Sequence, residues 1–204
     1  MREHSYGQNH KLTFVDRLGV YLSEKMVLKY FNPAKDNAGA LLDLGCGYEA
    51  RLLRKLAPRV SGAFGVDIAV SGEVKSLEGI SIYEDHIESA VKKLQAGTFD
   101  IITIINVLEH LDDPLSVLKE SRRLLKKEGF LLVNVPTWRG KFFLEISAYV
   151  KLSPRLEIED HKTYFNRDQL WPLLVRAGFK PSGIEMRYHK FGLNLFAACR
   201  KKEA

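Results

Sequence analysis

Cysteine is scarce in this chain, with only Cys46 and Cys199 among 204 residues. These two thiols, one in the glycine turn and one near the end of the last strand, do not make a disulfide framework or a zinc site, so both are read as reduced and used as small apolar side chains. Long apolar runs are missing too. No stretch approaches the ~18 to 20 residues of a membrane span. The opening MREHSYGQNHK has no apolar core of the kind a secretion signal needs, and a cytoplasmic location is expected. Internal repeats and low-complexity segments are absent. Acidic residues are in deficit, 25 against 31 basic, which leaves a formal charge of +6. Such an excess can draw an acidic partner. The cations are scattered, however. LKKEG before Phe130, read as a helix end, and CRKKEA at the tail are most simply solvated termini, with no basic run interleaved with aromatics to suggest a nucleic-acid surface.

What is present is ordinary for a globular protein: 46% hydrophobic and 27% charged residues, enough for one domain with a modest insertion. Leu18, Leu22, Met26 and Tyr30, with Val20, Val27 and Phe31 nearby, form a helical stripe in the opening segment, and Asn32-Pro33 stops it. From Ala40 strands and helices alternate. Helices are expected over Glu49 to Ala57, after Ser71, over Ile87 to Leu94, over Pro114 to Lys127 and over Asn166 to Ala177; strands over Gly62 to Val66, Ile80 to Tyr83, Phe99 to Ile105, Gly183 to His189 and Leu193 to Cys199. Alternation of this kind implies a parallel sheet covered on both faces. Thr137 to Lys162 interrupts the pattern with aromatics at helical spacing. It is expected to be either a mobile cover over a pocket or an amphipathic helix packed on the fold.

The most informative stretch is ALLDLGCGYEA, from Ala40 to Ala50. An apolar strand ends near Asp43, and glycines at 45 and 47 let the chain turn tightly and a ligand approach bare backbone. Gly45, Gly47 and Ala50 also satisfy a dinucleotide-binding pattern, so this string alone leaves the cofactor open. Asp67 then ends a second apolar run about 20 residues past Gly47, the spacing at which a βαβ unit delivers a carboxylate to ribose hydroxyls. Asp85-His86 follows the third strand and Asn106 to His110 the fourth. Polar residues thus occupy four successive strand ends, where open α/β sheets bind ligands.

DLGCG at Asp43 to Gly47, the acidic strand end at Asp67, the Asp85 tip, FDIITIINVLEHLDDP and GFLLVNVP, in that order, resemble the motifs of class I S-adenosylmethionine-dependent methyltransferases. The match covers about Ala40 to Pro136, with a continuation to Arg200. The pattern departs at Glu49, where the family places a third glycine. The resemblance implies an α/β fold: a Rossmann-like open sheet of seven strands, mostly parallel, with an antiparallel C-terminal hairpin and helices on both faces. Residues 1–204 would form a single methyltransferase domain, 1–39 being an N-terminal helix and linker and 137–162 an insertion.

The resemblance also assigns roles. The turn of Gly45, Cys46 and Gly47, with Asp43 beside it, would hold the methionine end of S-adenosyl-L-methionine. Asp67 would accept from the ribose hydroxyls and Asp85 from the adenine amino group, with Ile68 and His86 lining the adenine slot. Backbone at Asn106 and Val107 would meet the methionine portion. His110 can serve as a base near neutral pH or can hold its own loop. His161 matches a histidine found ahead of the last helix in small-molecule methyltransferases of this type. Tyr6, Arg17 and Tyr21 are weaker candidates for the cofactor carboxylate or the acceptor. Some O-methyltransferases of quinone biosynthesis carry a metal-associated ExxEH in this region. Here its first position is Asn106, and Glu109 with His110 is too small a ligand set, so no metal is expected. The acceptor is read as a small molecule methylated on oxygen or nitrogen. Rival readings are RNA or protein methylation, a nicotinamide-dependent reductase, and a non-catalytic cofactor-binding module.

Overall fold

The computed structural model describes residues 4–8, 14–31, 39–140 and 162–202. Seven strands form one sheet in the order β3-β2-β1-β4-β5-β7-β6: β1 Ala40–Leu44, β2 Gly62–Asp67, β3 Ile80–Glu84, β4 Phe99–Ile105, β5 Leu125–Pro136, β6 Ile184–His189 and β7 Asn194–Arg200. Pairings among β1 to β5 are parallel, and β7 runs antiparallel between β5 and β6. The expected Rossmann-like architecture is the one observed. Parallel order puts the carboxyl ends of β1 to β5 along one edge. The β6–β7 turn reaches that same edge, because His189 pairs with Asn194 and Asn194 with Pro136.

Two apolar layers sandwich the sheet. On one face Leu42, Leu44, Ile102, Ile104, Leu131 and Val133 pack against α4 (Ile87–Lys93), α5 (Pro114–Leu124) and α6 (Arg167–Arg176). On the other, Leu41, Leu132 and Phe196 meet α1 (Phe14–Leu28), α2 (Arg51–Leu56) and α3 (Gly72–Lys75). Each fully buried leucine contributes about 1.5 to 3 kcal/mol relative to exposure, so strands with apolar side chains on both faces fix this layering.

Local signals place most ends. Asp113 Oδ1 accepts from the Ser116 N–H at 2.9 Å with Pro114 in the first turn of α5. At Asn166 a capping box opens α6. Three expectations are corrected. First, α2 begins at Arg51 rather than Glu49, because Ala50 takes a left-handed conformation, φ 42°. Second, α5 stops at Leu124 rather than Lys127. Leu125 already pairs with Phe99, and LKKEG is a bulged strand entry with Glu128 at φ 61°. Third, the buried side of α1 is rotated from the 18-22-26-30 line: Val27 and Phe31 are buried as expected, but Leu18 is 48% exposed and Ser23 and Glu24 are buried in its place. The polar pair survives there because Ser23 Oγ accepts from Asn134 Nδ2 and Glu24 accepts from Lys55 Nζ at 2.8 Å.

Candidate active site

The turn after β1 is built by backbone. Gly45 and Gly47 sit at φ 78° and 79°, a region that costs other residues about 1 to 2 kcal/mol. The Gly45 N–H donates to the Val66 carbonyl at 2.8 Å, and a Cβ on Gly45 would lie 2.3 Å from Val107 Cγ2. Val107 therefore packs directly over the turn. Gly47 N–H donates to Asp67 Oδ2 at 2.8 Å, while Asp67 Oδ1 accepts from the Ile68 N–H at 2.9 Å. Each carboxylate oxygen keeps lone-pair capacity beyond these bonds. The opening segment reaches the same turn: the Tyr6 carbonyl accepts from the Tyr48 N–H at 3.0 Å. Arg17 and Tyr21 lie exposed on α1, with Lys55 Nζ 6.0 Å from the Tyr21 ring centre. Glu49, where the third glycine is lacking, turns outward to within 3.8 Å of Arg54, so its side chain leaves the turn clear.

Asp43 lies beneath the turn rather than on its surface. Its Oδ1 accepts from Thr103 Oγ1 at 2.6 Å. Burial pushes its pKa up to about 7; the Thr103 bond opposes the rise and the nearby Asp67 adds to it. Cys46 is buried, and burial raises its thiol pKa. Cys199 is likewise free and buried on β7.

Across the end of β2, the Asp85 N–H donates to the Asp67 carbonyl at 3.1 Å. Asp85 accepts from Lys93 Nζ and from the His86 N–H, at 2.7 and 2.8 Å, and the Lys93 bond is the main cause holding its pKa below the usual carboxylate range. His86 is exposed at the start of α4. His110 closes a short 3-10 turn, its N–H donating to the Val107 carbonyl at 2.9 Å. His161 lies outside the described residues, as does 141–161 of the expected insertion. The two ends of that segment are anchored at the carboxyl edge. Thr137 N–H donates to the Leu193 carbonyl at 2.9 Å, and Lys162 N–H to the Glu109 carbonyl at 3.0 Å.

Sequence reasoning missed a polar cluster beside these residues. Asn134, fully buried on β5, donates through Nδ2 to Asn106 Oδ1 at 2.6 Å and to Ser23 Oγ at 3.3 Å. Its Oδ1 lies 2.6 Å from His189 Nε2. Asn194 Nδ2 also donates to Asn106 Oδ1, at 3.3 Å. Asn106 itself is left-handed, φ 56°, with its N–H on the Asn134 carbonyl at 2.8 Å. Burial, assisted by Lys190 and Lys29, pushes the His189 pKa down to about 4, so the ring is neutral at pH 7, with Nε2–H donating to Asn134. An asparagine inside a β-strand was the one available signal, since a buried amide demands partners. Their identities required the fold.

Residues 18–182 match the methyltransferase domain family. The chain belongs to the S-adenosylmethionine-dependent methyltransferases. Among similar proteins, the ubiquinone biosynthesis O-methyltransferase of Colwellia psychrerythraea is 30% identical over 180 residues, 79% of this chain and 73% of that protein. Its namesake from Bordetella pertussis is 28% identical over 188 residues, 82% and 77%. An S-adenosylmethionine-dependent methyltransferase from Archaeoglobus fulgidus shares the fold with a TM-score of 0.67 at 17% identity, covering 91% of this chain and 94% of that one. Phosphoethanolamine N-methyltransferase 2 of Haemonchus contortus, solved with S-adenosyl-L-methionine, gives a TM-score of 0.65 at 16% identity over 88% of this chain and 52% of that one.

The methyltransferase has a cofactor side that fits this group. The turn carries no side chain at Gly45 or at Gly47, which is buried beside Tyr6, and a carboxylate with spare lone pairs stands at the end of the adjacent strand, as a ribose diol requires. Among the described residues no three His, Cys, Asp or Glu side chains are grouped as metal ligands, and no helix is long and apolar enough to cross a membrane.

Proposed function

We propose that this methyltransferase transfers a methyl group to an oxygen of a small-molecule acceptor in the cytoplasm, working as a single cofactor domain. The observation that carries the cofactor assignment is the Asp67 carboxylate bonded to the Gly47 amide at 2.8 Å. It ties the ribose-side acceptor to the methionine-side turn in one rigid unit. In this reading the Gly45–Gly47 backbone holds the methionine end and Asp67 accepts from the ribose hydroxyls. Asp85 accepts from the adenine amino group, while Ile68 and His86 flank the ring. Asn106 and Val107 present backbone at the methyl-bearing side. Asp43 lies 2% exposed under the turn, where a cationic group above favours its ionised form.

Bound S-adenosylmethionine supplies an electrophilic methyl group whose departure neutralises the sulfonium. The protein's task is then alignment and water exclusion, and positioning alone can supply effective molarities of ~10⁵ to 10⁸ M. His110 is the candidate to receive the acceptor proton, with His161 as the second candidate. Oxygen is favoured over nitrogen because the curated relatives quoted above are named O-methyltransferases. Calorimetry with S-adenosylhomocysteine and with NADH tests the cofactor half of the proposal: micromolar binding of the former without competition by the latter is expected. Radiolabelled methyl transfer to a panel of small hydroxyl, amine, RNA and protein acceptors tests the other half, and label appearing only in RNA or protein would overturn it.

A further inference from the structure

The β6–β7 turn carries an unexplained strain. Lys190, Phe191 and Gly192 are consecutive left-handed residues, φ 50°, 57° and 83°, although two of them have side chains that disfavour this region. The turn is held there from outside: Thr137 Oγ1 donates to the Gly192 carbonyl at 2.7 Å, and Leu193 N–H closes on the Lys190 carbonyl at 3.1 Å. Strain of this kind persists only where the surrounding structure over-determines it, and it gathers at functional sites. Phe191 is thrown fully into solvent, 99% exposed. Its neighbour Lys190 is turned inward, half-buried, with Nζ 3.8 Å from where a Cβ on Gly19 of α1 would stand. A Cβ at Gly19 would stand in ordinary van der Waals contact with the ammonium, so the side chain lies directly against α1.

The ammonium stands on the β6–β7 turn against α1 at Gly19, within electrostatic reach of Glu109 in the loop Asn106 to His110. Glu109 attracts it from the loop. His189 is the adjacent neutral ring, Arg139 lies against Gly192, and α1 brings Gly19 to the contact. Among the described residues the ammonium makes no hydrogen bond or close ion pair. Partial withdrawal of a lysine from water without such a partner is costly, and burial pushes its pKa down to about 8. An anionic ligand oxygen supplies the missing partner.

We infer that Lys190 is an acceptor-side anion anchor, selecting substrates that carry a carboxylate or an ionised hydroxyl beside the Asn106–His110 loop. This rests on the methyl-transfer reading for the identity of the ligand as acceptor, but the anion preference is measurable without it. Binding of an anion favours the protonated lysine, so it takes up protons near pH 8 and not at pH 6, where Lys190 is already charged.

The test titrates the protein, free and saturated with S-adenosylhomocysteine, with benzoate against neutral benzamide and with 4-nitrophenolate against 4-nitroanisole. Binding is followed by NMR shifts, and proton uptake by calorimetry in buffers of different ionisation enthalpy. At least one anion is expected to bind about tenfold more tightly than its neutral partner, with proton uptake at pH 8. Lys190→Met should abolish both effects and leave S-adenosylhomocysteine affinity unchanged, and Lys190→Arg should keep the preference. Preference for benzoate alone identifies a carboxylate, and for nitrophenolate alone an ionised hydroxyl. Equal binding of charged and neutral partners, a preference that survives in Lys190→Met, or no binding of any probe would overturn the inference. Failure of S-adenosylhomocysteine to bind, with the anion preference intact, would overturn the cofactor reading instead.

Discussion

The Gly47 amide donates to Asp67 Oδ2 across 2.8 Å, joining two loops 20 residues apart in sequence. One carboxylate thus braces the glycine turn, and in the proposed reading it also accepts from the ribose hydroxyls. Asp67→Ala should weaken S-adenosylhomocysteine binding by about 1 to 3 kcal/mol, the cost of losing a charged acceptor. Asp67→Asn should lose less, because one side-chain oxygen remains. Calorimetry on variants whose melting shows them folded decides the matter, and unchanged affinity in Asp67→Ala would remove this residue from the site.

The two glycines of the turn are unequal. A Cβ at Gly45 meets Val107 at 2.3 Å, whereas at Gly47 the nearest atom is the Tyr6 carbonyl oxygen at 3.5 Å. Both alanine variants bear the left-handed penalty of about 1 to 2 kcal/mol, but only Gly45→Ala must also displace Val107. It should therefore be the less stable of the two in urea denaturation. Gly45→Ala combined with Val107→Ala should recover part of the difference.

Asp43 makes stability depend on pH. Its folded pKa, about 7, exceeds the unfolded value of about 3.9, so between those limits the folded state keeps a proton that the unfolded state releases. Stability from this group is complete below pH ~4 and declines as pH rises towards 7, by at most roughly 1.4 kcal/mol per unit. Wild type should lose about 1 to 3 kcal/mol relative to Asp43→Asn between pH 5 and pH 8, measured on the ligand-free protein.

His189 acts with the opposite sign. Its folded pKa, about 4, lies below the unfolded value of about 6.5. Its contribution is present above pH ~6.5 and is lost as pH falls towards 4. NMR of the ring should show a neutral imidazole protonated at Nε2 down to pH ~5. Relative to His189→Gln, wild type should lose about 1 to 2 kcal/mol on acidification from pH 7 to pH 5.

Asn106 bears on metal dependence. Its side-chain oxygen already accepts from Asn134 and Asn194 at 2.6 and 3.3 Å, so it is a neutral, occupied donor where a metal-associated ExxEH would offer a carboxylate. EDTA should leave methyl transfer intact. A rate that collapses on chelation and returns with magnesium would contradict this.

The order of elements was readable in the chain because it rests on local chemistry. Leu41, Leu42 and Leu44 demanded burial, Gly45 and Gly47 a turn, Asp113-Pro114 a helix start, and Asp67 stands at the strand end that its spacing implied. The buried side of α1 was misread because Ser23 and Glu24 look solvent-facing, and only their partners Asn134 and Lys55, more than 30 residues away, make their burial tolerable. The helix reading of LKKEG failed for a similar reason: good helix formers yielded to pairing of Leu125 with Phe99.

By itself the sequence determined the sheet, the glycine turn and the acidic strand ends, since each follows from periodicity, sterics and spacing within about 20 residues. Only the tertiary structure decided that Asp43 is sealed under the turn, that Asn134 joins Asn106, Ser23 and His189, and that Lys190 points inward while Phe191 points out. Those properties depend on which polar groups share a desolvated space. Desolvation is set by packing between residues distant in the chain, which no local pattern encodes.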